Sequence, residues 1–226
     1  MLTVETDLRP LFGPARDQGQ RPTCLAFAAS DAHAALRPDW APLSCEFAFY
    51  HAQRRSNRSP VQGATVGSML EALRHDGQPA EAGWPYLATL PPDHDDWLPP
   101  ANVNPIFRRG GAATTDVLAT VIGKLDQQEP VILLITLSRS FFAPTIDGIV
   151  DTGLGEAPDP ALRHAIIAVG HGTINGSTAI LSRNSWGQDW GINGHAWLTE
   201  RFLTPRLIAT ASLLEDIDVS ADPVTA

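Results

Sequence analysis

Apolar positions along the chain change period near its middle, from helical spacing to strand-like runs. The first twenty-odd residues carry Pro10, Gly13, Pro14, Gly19 and Pro22, which predict an extended, turning segment. Thr23 then reads as an N-cap for the alanine-rich run CLAFAASDAHAALR. The N-terminal half of that run is apolar nearly all round, so it is expected to be buried. A second helix is predicted from Ser44 through EFAFYHAQ. A third fits VGSMLEALRHDG, with Val66, Met69, Leu70 and Leu73 at helical spacing and Gly77 as its stop. From Gly83 to Gly111 the chain turns irregular and proline-rich, a candidate boundary between halves. Beyond it, one helix over about Asp116 to Asp126 precedes the β-branched run PVILLITL. Three further strand-like stretches follow: HAIIAVGH, STAILSRN and HAWLTE. Helices first and strands later predict an α+β fold in two lobes, a mainly helical one over 1–105 and a β-rich one over 106–226.

Composition narrows the class. A chain of 226 residues, 43% hydrophobic and 18% charged, can bury a real core, which excludes a disordered chain. Two cysteines cannot form a disulfide framework. The longest aliphatic run, Val131 to Ile135, is far below the roughly 20 residues of a membrane helix. The N-terminus MLTVETDLRP lacks a basic-then-apolar stretch, so no secretory signal is expected. A net charge of −9 argues against nucleic acid as the partner. Glu215, Asp216, Asp218 and Asp222 read as a solvated acidic tail.

Cys24 sits at the first turn of the predicted buried helix, where backbone N–H groups and the positive dipole end favour a thiolate. On its own this also describes a small buried core cysteine. His164 opens the strand HAIIAVGH after a loop rich in Gly and Pro, and could supply a base. His171 lies seven residues on, on the opposite face of a regular strand, which argues against the two being metal ligands. No CxxC or HExxH spacing occurs, so no metal is expected. Asn184 begins NSWGQDWGINGHAWL, where Gly187, Gly191 and Gly194 punctuate three tryptophans. A side-chain amide there can orient an imidazole without taking its proton. Cys45 also starts a helix and could be moderately reactive, but no motif surrounds it. His94-Asp95-Asp96 reads as a solvated loop, and His33, His51 and His75 as helix residues with ordinary hydrogen bonds.

Gln18-Gly19, Cys24-Leu25-Ala26-Phe27, His164-Ala165 and Asn184-Ser185-Trp186-Gly187, in that order, resemble the papain-like cysteine peptidases. His164 lies 140 residues after Cys24, within the interval of about 130–150 for that family, and Asn184 runs slightly beyond it. GWPY (Gly83 to Tyr86) looks like a piece found in bacterial members. The resemblance implies a papain-like two-lobed fold. Its helical N-terminal lobe and antiparallel β-barrel-like C-terminal lobe would form one catalytic domain with the active-site cleft between them. It implies Cys24 as nucleophile, His164 as base and later acid, Asn184 as the orienter of His164, and Trp186 as the shield of that pair. Gln18, six residues before Cys24, would donate to the oxyanion beside the backbone N–H of Cys24, with Gln20 as the rival donor. Gly63, Ala64 and Trp186 would contact substrate, with Gly63, ahead of Ala64-Thr65, along its backbone.

The chain departs from the family pattern near the nucleophile. Arg21 stands where the family has a cysteine, so its disulfide is missing; Pro22-Thr23 replaces Gly-Ser, and Leu25 replaces an aromatic residue. No group the chemistry needs is lost. The expected function is a cysteine peptidase, an endopeptidase acting on protein or peptide through a thioester, with no metal or organic cofactor. A catalytically silent binding module on the same scaffold and acyl transfer to an amine are the rivals. With 23 residues before Cys24, restraint is expected from something other than a long N-terminal segment, such as a proteinaceous inhibitor or immunity partner. The location is expected to be cytoplasmic, or outside the cell by a route without a cleavable signal, as for a toxin or effector.

Overall fold

The computed structural model describes residues 1–115 and 117–217. Among the described residues six α-helices form: α1 (Cys24–Ala35), α2 (Cys45–Ser56), α3 (Val66–His75), α4 (Leu118–Asp126) and the four-residue α5 (Arg139–Phe142) and α6 (Glu200–Leu203). The Ser44 side chain caps α2 by accepting from the Phe47 N–H, and Thr65 caps α3 by accepting from Ser68. The predicted cap of α1 differs. The Thr23 hydroxyl makes no capping bond and instead pairs with the Tyr86 hydroxyl at 3.0 Å, because a tertiary partner outcompetes the local one. From Leu25 to Ala35 every residue of α1 is buried, beyond the apolar half that the pattern predicted. Asp116, the expected start of α4, lies outside the described residues.

Among the described residues eight strands form one sheet: β1 (Leu2–Asp7), β2 (Arg109–Thr114), β3 (Val131–Leu137), β4 (Ile149–Val150), β5 (Asp159–Ile174), β6 (Ser177–Arg183), β7 (His195–Thr199) and β8 (Leu207–Asp216). The order is β2-β8-β3-β5-β6-β7-β4, with β1 added along β5. The sheet is open, not barrel-like, and not wholly antiparallel: β4 runs parallel to β7. The reason is visible at its ends, where β2 and the two-residue β4 pair with β8 and β7 and not with each other. At the C-terminus Glu215 and Asp216 are exposed, but they end the strand β8, which runs between β2 and β3, and do not form a tail; Asp216 lies 3.5 Å from Arg109. Asp218 and Asp222 lie outside the described residues.

The long strand β5 organises the sheet. Its first part pairs with β3, in a register that sets His164 opposite Ile135, and its last part pairs with β1. There Gly170 and Gly172 are required, because a Cβ on either would meet the Thr6 or Thr3 carbonyl oxygen at 2.4 or 2.1 Å. β3 is buried almost throughout, which fits its unbroken apolar run. One hydrophobic cluster joins α1, α2 and α3 to β3, β5, β6 and β7.

Asp31 lies inside this junction, on the buried face of α1. Its carboxylate accepts from Arg16 Nε at 2.8 Å and from Arg183 Nε at 2.9 Å. Arg183, at the end of β6, also donates to the Gly13 and Pro14 carbonyls. One carboxylate thus holds α1, the N-terminal segment and β6 together.

Burial also sets an acid limit on the fold. It holds the imidazoles of His33, His164 and His195 down to about 4. The unfolded chain takes up those protons near its ordinary value of about 6.5, so acid favours unfolding. Stability should therefore be full above about pH 6.5 and fall as pH drops toward 4, by up to about 3 kcal/mol per histidine. Urea denaturation across that window checks this, and His33→Gln should flatten part of the slope.

Candidate active site

Cys24 is the first residue of α1 and is half-buried. The segment before it is zipped to the turn after β6: the Gln18 N–H donates to the Ser185 carbonyl at 2.9 Å, and the Gly187 N–H to the Arg16 carbonyl at 3.0 Å. Asp17 and Trp186 pair across this ladder. This long-range backbone pairing brings the approach to Cys24 against the residues that follow Asn184.

Asn184 and His164 are both buried, with His164 Nε2 2.7 Å from Asn184 Oδ1. The same oxygen accepts the Ser185 backbone N–H at 2.8 Å. An N–H donor requires an acceptor, so this second bond fixes which way the amide faces. His164 must then donate from Nε2, which leaves Nδ1 as the bare, basic nitrogen. The Trp186 ring lies over the imidazole, 4.8 Å between centroids, and Phe141 meets it edge-on at 5.8 Å. Phe142 stacks on Trp186 in turn.

Cys24 and His164 both line one cavity of about 410 Å³, together with Gly63 and Ala64. Burial pushes the Cys24 thiol up, while the backbone N–H groups of Ala165, Leu25 and Cys24 pull it back toward the thiolate. For His164, burial works against the charged ring and the Asn184 bond works for it. The structure therefore brings together Cys24, His164, Asn184, Gly63 and Ala64, with Trp186 covering the His164–Asn184 pair.

Gln18 does not line that cavity. It is buried beside it, its Nε2 donating to the Arg21 carbonyl at 2.8 Å and its Oε1 accepting from the Ser185 hydroxyl at 2.7 Å. The Tyr86 hydroxyl donates to its backbone carbonyl. Gln20 is exposed and lines a separate hollow with Asp17, Gly19, Phe142 and Trp186. Cys45 is fully buried, and that burial pushes its thiol well above the ordinary range, which works against the moderate reactivity its place at a helix start allowed. His171 is held by Asp126 at 2.7 Å. Among the described residues no group of His, Cys, Asp and Glu could hold a metal ion.

The sequence reading missed three supports. Ser185 clamps Gln18. Asp31 ties α1 to β6. At the position of the missing family cysteine, Arg21 makes a buried two-pronged pair with Glu46, at 2.6 and 2.9 Å. Glu46 also accepts from the Trp97 indole and the Leu87 N–H. The available signal was charge in apolar surroundings: Asp31 within an alanine-rich helix, Glu46 beside Phe47, and Arg183 at the end of STAILSR.

Comparisons place this geometry. Residues 101–206 match the family model of the papain family cysteine proteases, a span that holds His164 and Asn184 but not Cys24 or Gln18. The structure superposes on xylellain, a cysteine protease from Xylella fastidiosa, with a TM-score of 0.72 at 18% identity, covering 94% of this chain and 86% of that one. The fold is papain-like. Procathepsin L 3 of Tenebrio molitor larval midgut gives a TM-score of 0.75 at 19% identity, over 95% of this papain-like chain and 71% of that one. Bovine (Bos taurus) pro-cathepsin H is 23% identical over 83% of this chain and 56% of its own length. Cysteine proteinase 3 of Dictyostelium discoideum is 24% identical over 86% and 57%. The chain thus spans a little over half the length of these curated relatives.

Asp31 offers a test of how the papain-like halves are held. Asp31→Ala would leave the Arg16 and Arg183 guanidiniums facing one another in the interior. Chemical denaturation should show a loss of about 3–5 kcal/mol, and a smaller loss for Asp31→Asn.

Proposed function

We propose that the chain is a cysteine peptidase that cuts within proteins or peptides. The observation that carries this reading is the double acceptance at Asn184 Oδ1, which leaves Nδ1 of His164 basic on a ring that lines the same cavity as Cys24.

Burial penalises a lone thiolate and a lone imidazolium alike. Moving the thiol proton to Nδ1 creates both ions together, and their attraction offsets the penalty each would carry alone. The thiolate then attacks the scissile carbonyl carbon. The resulting oxyanion receives the Cys24 backbone N–H and the Gln18 amide hydrogen not committed to Arg21. As the C–N bond breaks, His164 gives its proton to the leaving amine, and a thioester on Cys24 remains. Water, deprotonated by His164, attacks the thioester, and the acid product leaves with Cys24 restored. Every step uses groups of this chain.

Hollows on two sides support cleavage within a chain. One holds Gly63 and Ala64, the other Gly19, Gln20 and Trp186, so a substrate can run across between them.

Iodoacetamide labelling across pH with peptide mapping tests the catalytic pair. Cys24 should react well below the ordinary thiol pKa of about 8.5, and His164→Ala should return it to that range. Cys45 should stay unlabelled in the folded chain. Cys24→Ala should reduce cleavage of an unfolded protein to background. Labelling of Cys24 that rises only near 8.5 would make the chain a silent scaffold.

A further inference from the structure

The cavity that holds Cys24 and His164 has a charge unlike that of the molecule around it. The chain carries 25 acidic residues against 16 basic ones, yet no carboxylate lines this cavity, and two arginines do. Its apolar wall includes Val66, Leu134 and Ile208. Arg58 and Arg163 are both exposed. Each is aimed by a backbone carbonyl: Arg58 Nε donates to Gly63 at 2.9 Å, and Arg163 Nε to Pro160 at 3.4 Å. Neither is paired with a carboxylate among the described residues, whereas Arg16, Arg21 and Arg183 each have one. Two guanidiniums without counter-ions, beside an apolar wall, suit an acidic side chain with a methylene stem.

We propose that this cavity selects an acidic side chain of the substrate, glutamate above all, its stem against Val66, Leu134 and Ile208 and its carboxylate between Arg58 and Arg163. The inference rests on the peptidase reading for its substrate class. Its binding chemistry, however, can be measured without turnover. A carboxylate there gains charge-assisted bonds to both guanidiniums. A lysine at the same place faces like charge.

The test uses the full chain carrying Cys24→Ala and fluorescein-labelled tetrapeptide pools, with Glu, Gln or Lys fixed at each position in turn. Fluorescence anisotropy should show one position where the Glu pool binds at least about tenfold more tightly than the Gln pool. The Lys pool should be weaker still, and the preference should shrink as salt rises. Arg58→Gln with Arg163→Gln should collapse the Glu-to-Gln ratio toward one. Equal affinities at every position, absence of binding included, would overturn the proposal, as would a Lys preference or a Glu preference that survives the double substitution. Rapid low-pH alkylation of wild-type Cys24 with no Glu preference would sink this proposal alone. A Glu preference with an ordinary, slow Cys24 would sink the peptidase reading and leave an acidic-peptide site.

Discussion

A single carboxylate, that of Asp31, decides how helix α1 meets the sheet. Cys24 begins α1, and Asn184 follows the last residue of β6, so helix and strand must be held at a fixed offset. Asp31 lies on that helix, and Arg183 immediately precedes Asn184; the Asp31–Arg183 contact at 2.9 Å is therefore a ruler between Cys24 and Asn184. Arg16 reads the other oxygen and brings along the segment that leads to Gln18. Hydrophobic packing alone would tolerate a small slide of α1 over the sheet, but directional charged hydrogen bonds in a buried setting do not.

The same burial that makes this junction stiff sets the chemistry of the cleft. Trp186, Phe141 and Phe142 exclude water on one side of His164, and the apolar wall of the cavity does so beyond it. In such surroundings charge is favourable only when it forms in pairs or meets oriented dipoles. The N–H groups around Cys24 and the amide oxygen of Asn184 are dipoles of that kind, already in place and needing no rearrangement.

What could be read from the residues alone follows the range of the forces involved. α2 and α3 were legible because Ser44, Thr65 and the apolar spacing act within a turn or two. β8 was not, because a run such as LIATASLLED becomes a strand only when β2 and β3 flank it, and its exposed acidic end suggested a tail instead. Thr23 misled for the same reason, its hydroxyl bonding Tyr86, 63 residues away. Barrel closure was equally out of reach, since it depends on whether the outermost strands find each other. In the site, Cys24, His164 and Asn184 were legible from short motifs in a matching order. Ser185, Glu46 and Asp31 were not, because each acts through a partner that only the folded chain supplies.

The ion pair of Arg21 with Glu46 has a consequence for how the molecule survives oxidants. A nucleophilic thiol must be kept reduced, and where a neighbouring loop is fastened by a disulfide, the reductant that protects the one threatens the other. Both cysteines of this chain are free thiols, and the loop is fastened by charge and by the Trp97 and Leu87 bonds to Glu46. Redox state is thereby uncoupled from architecture: Cys24 can be oxidised and reduced again with no covalent brace to break or remake on the way.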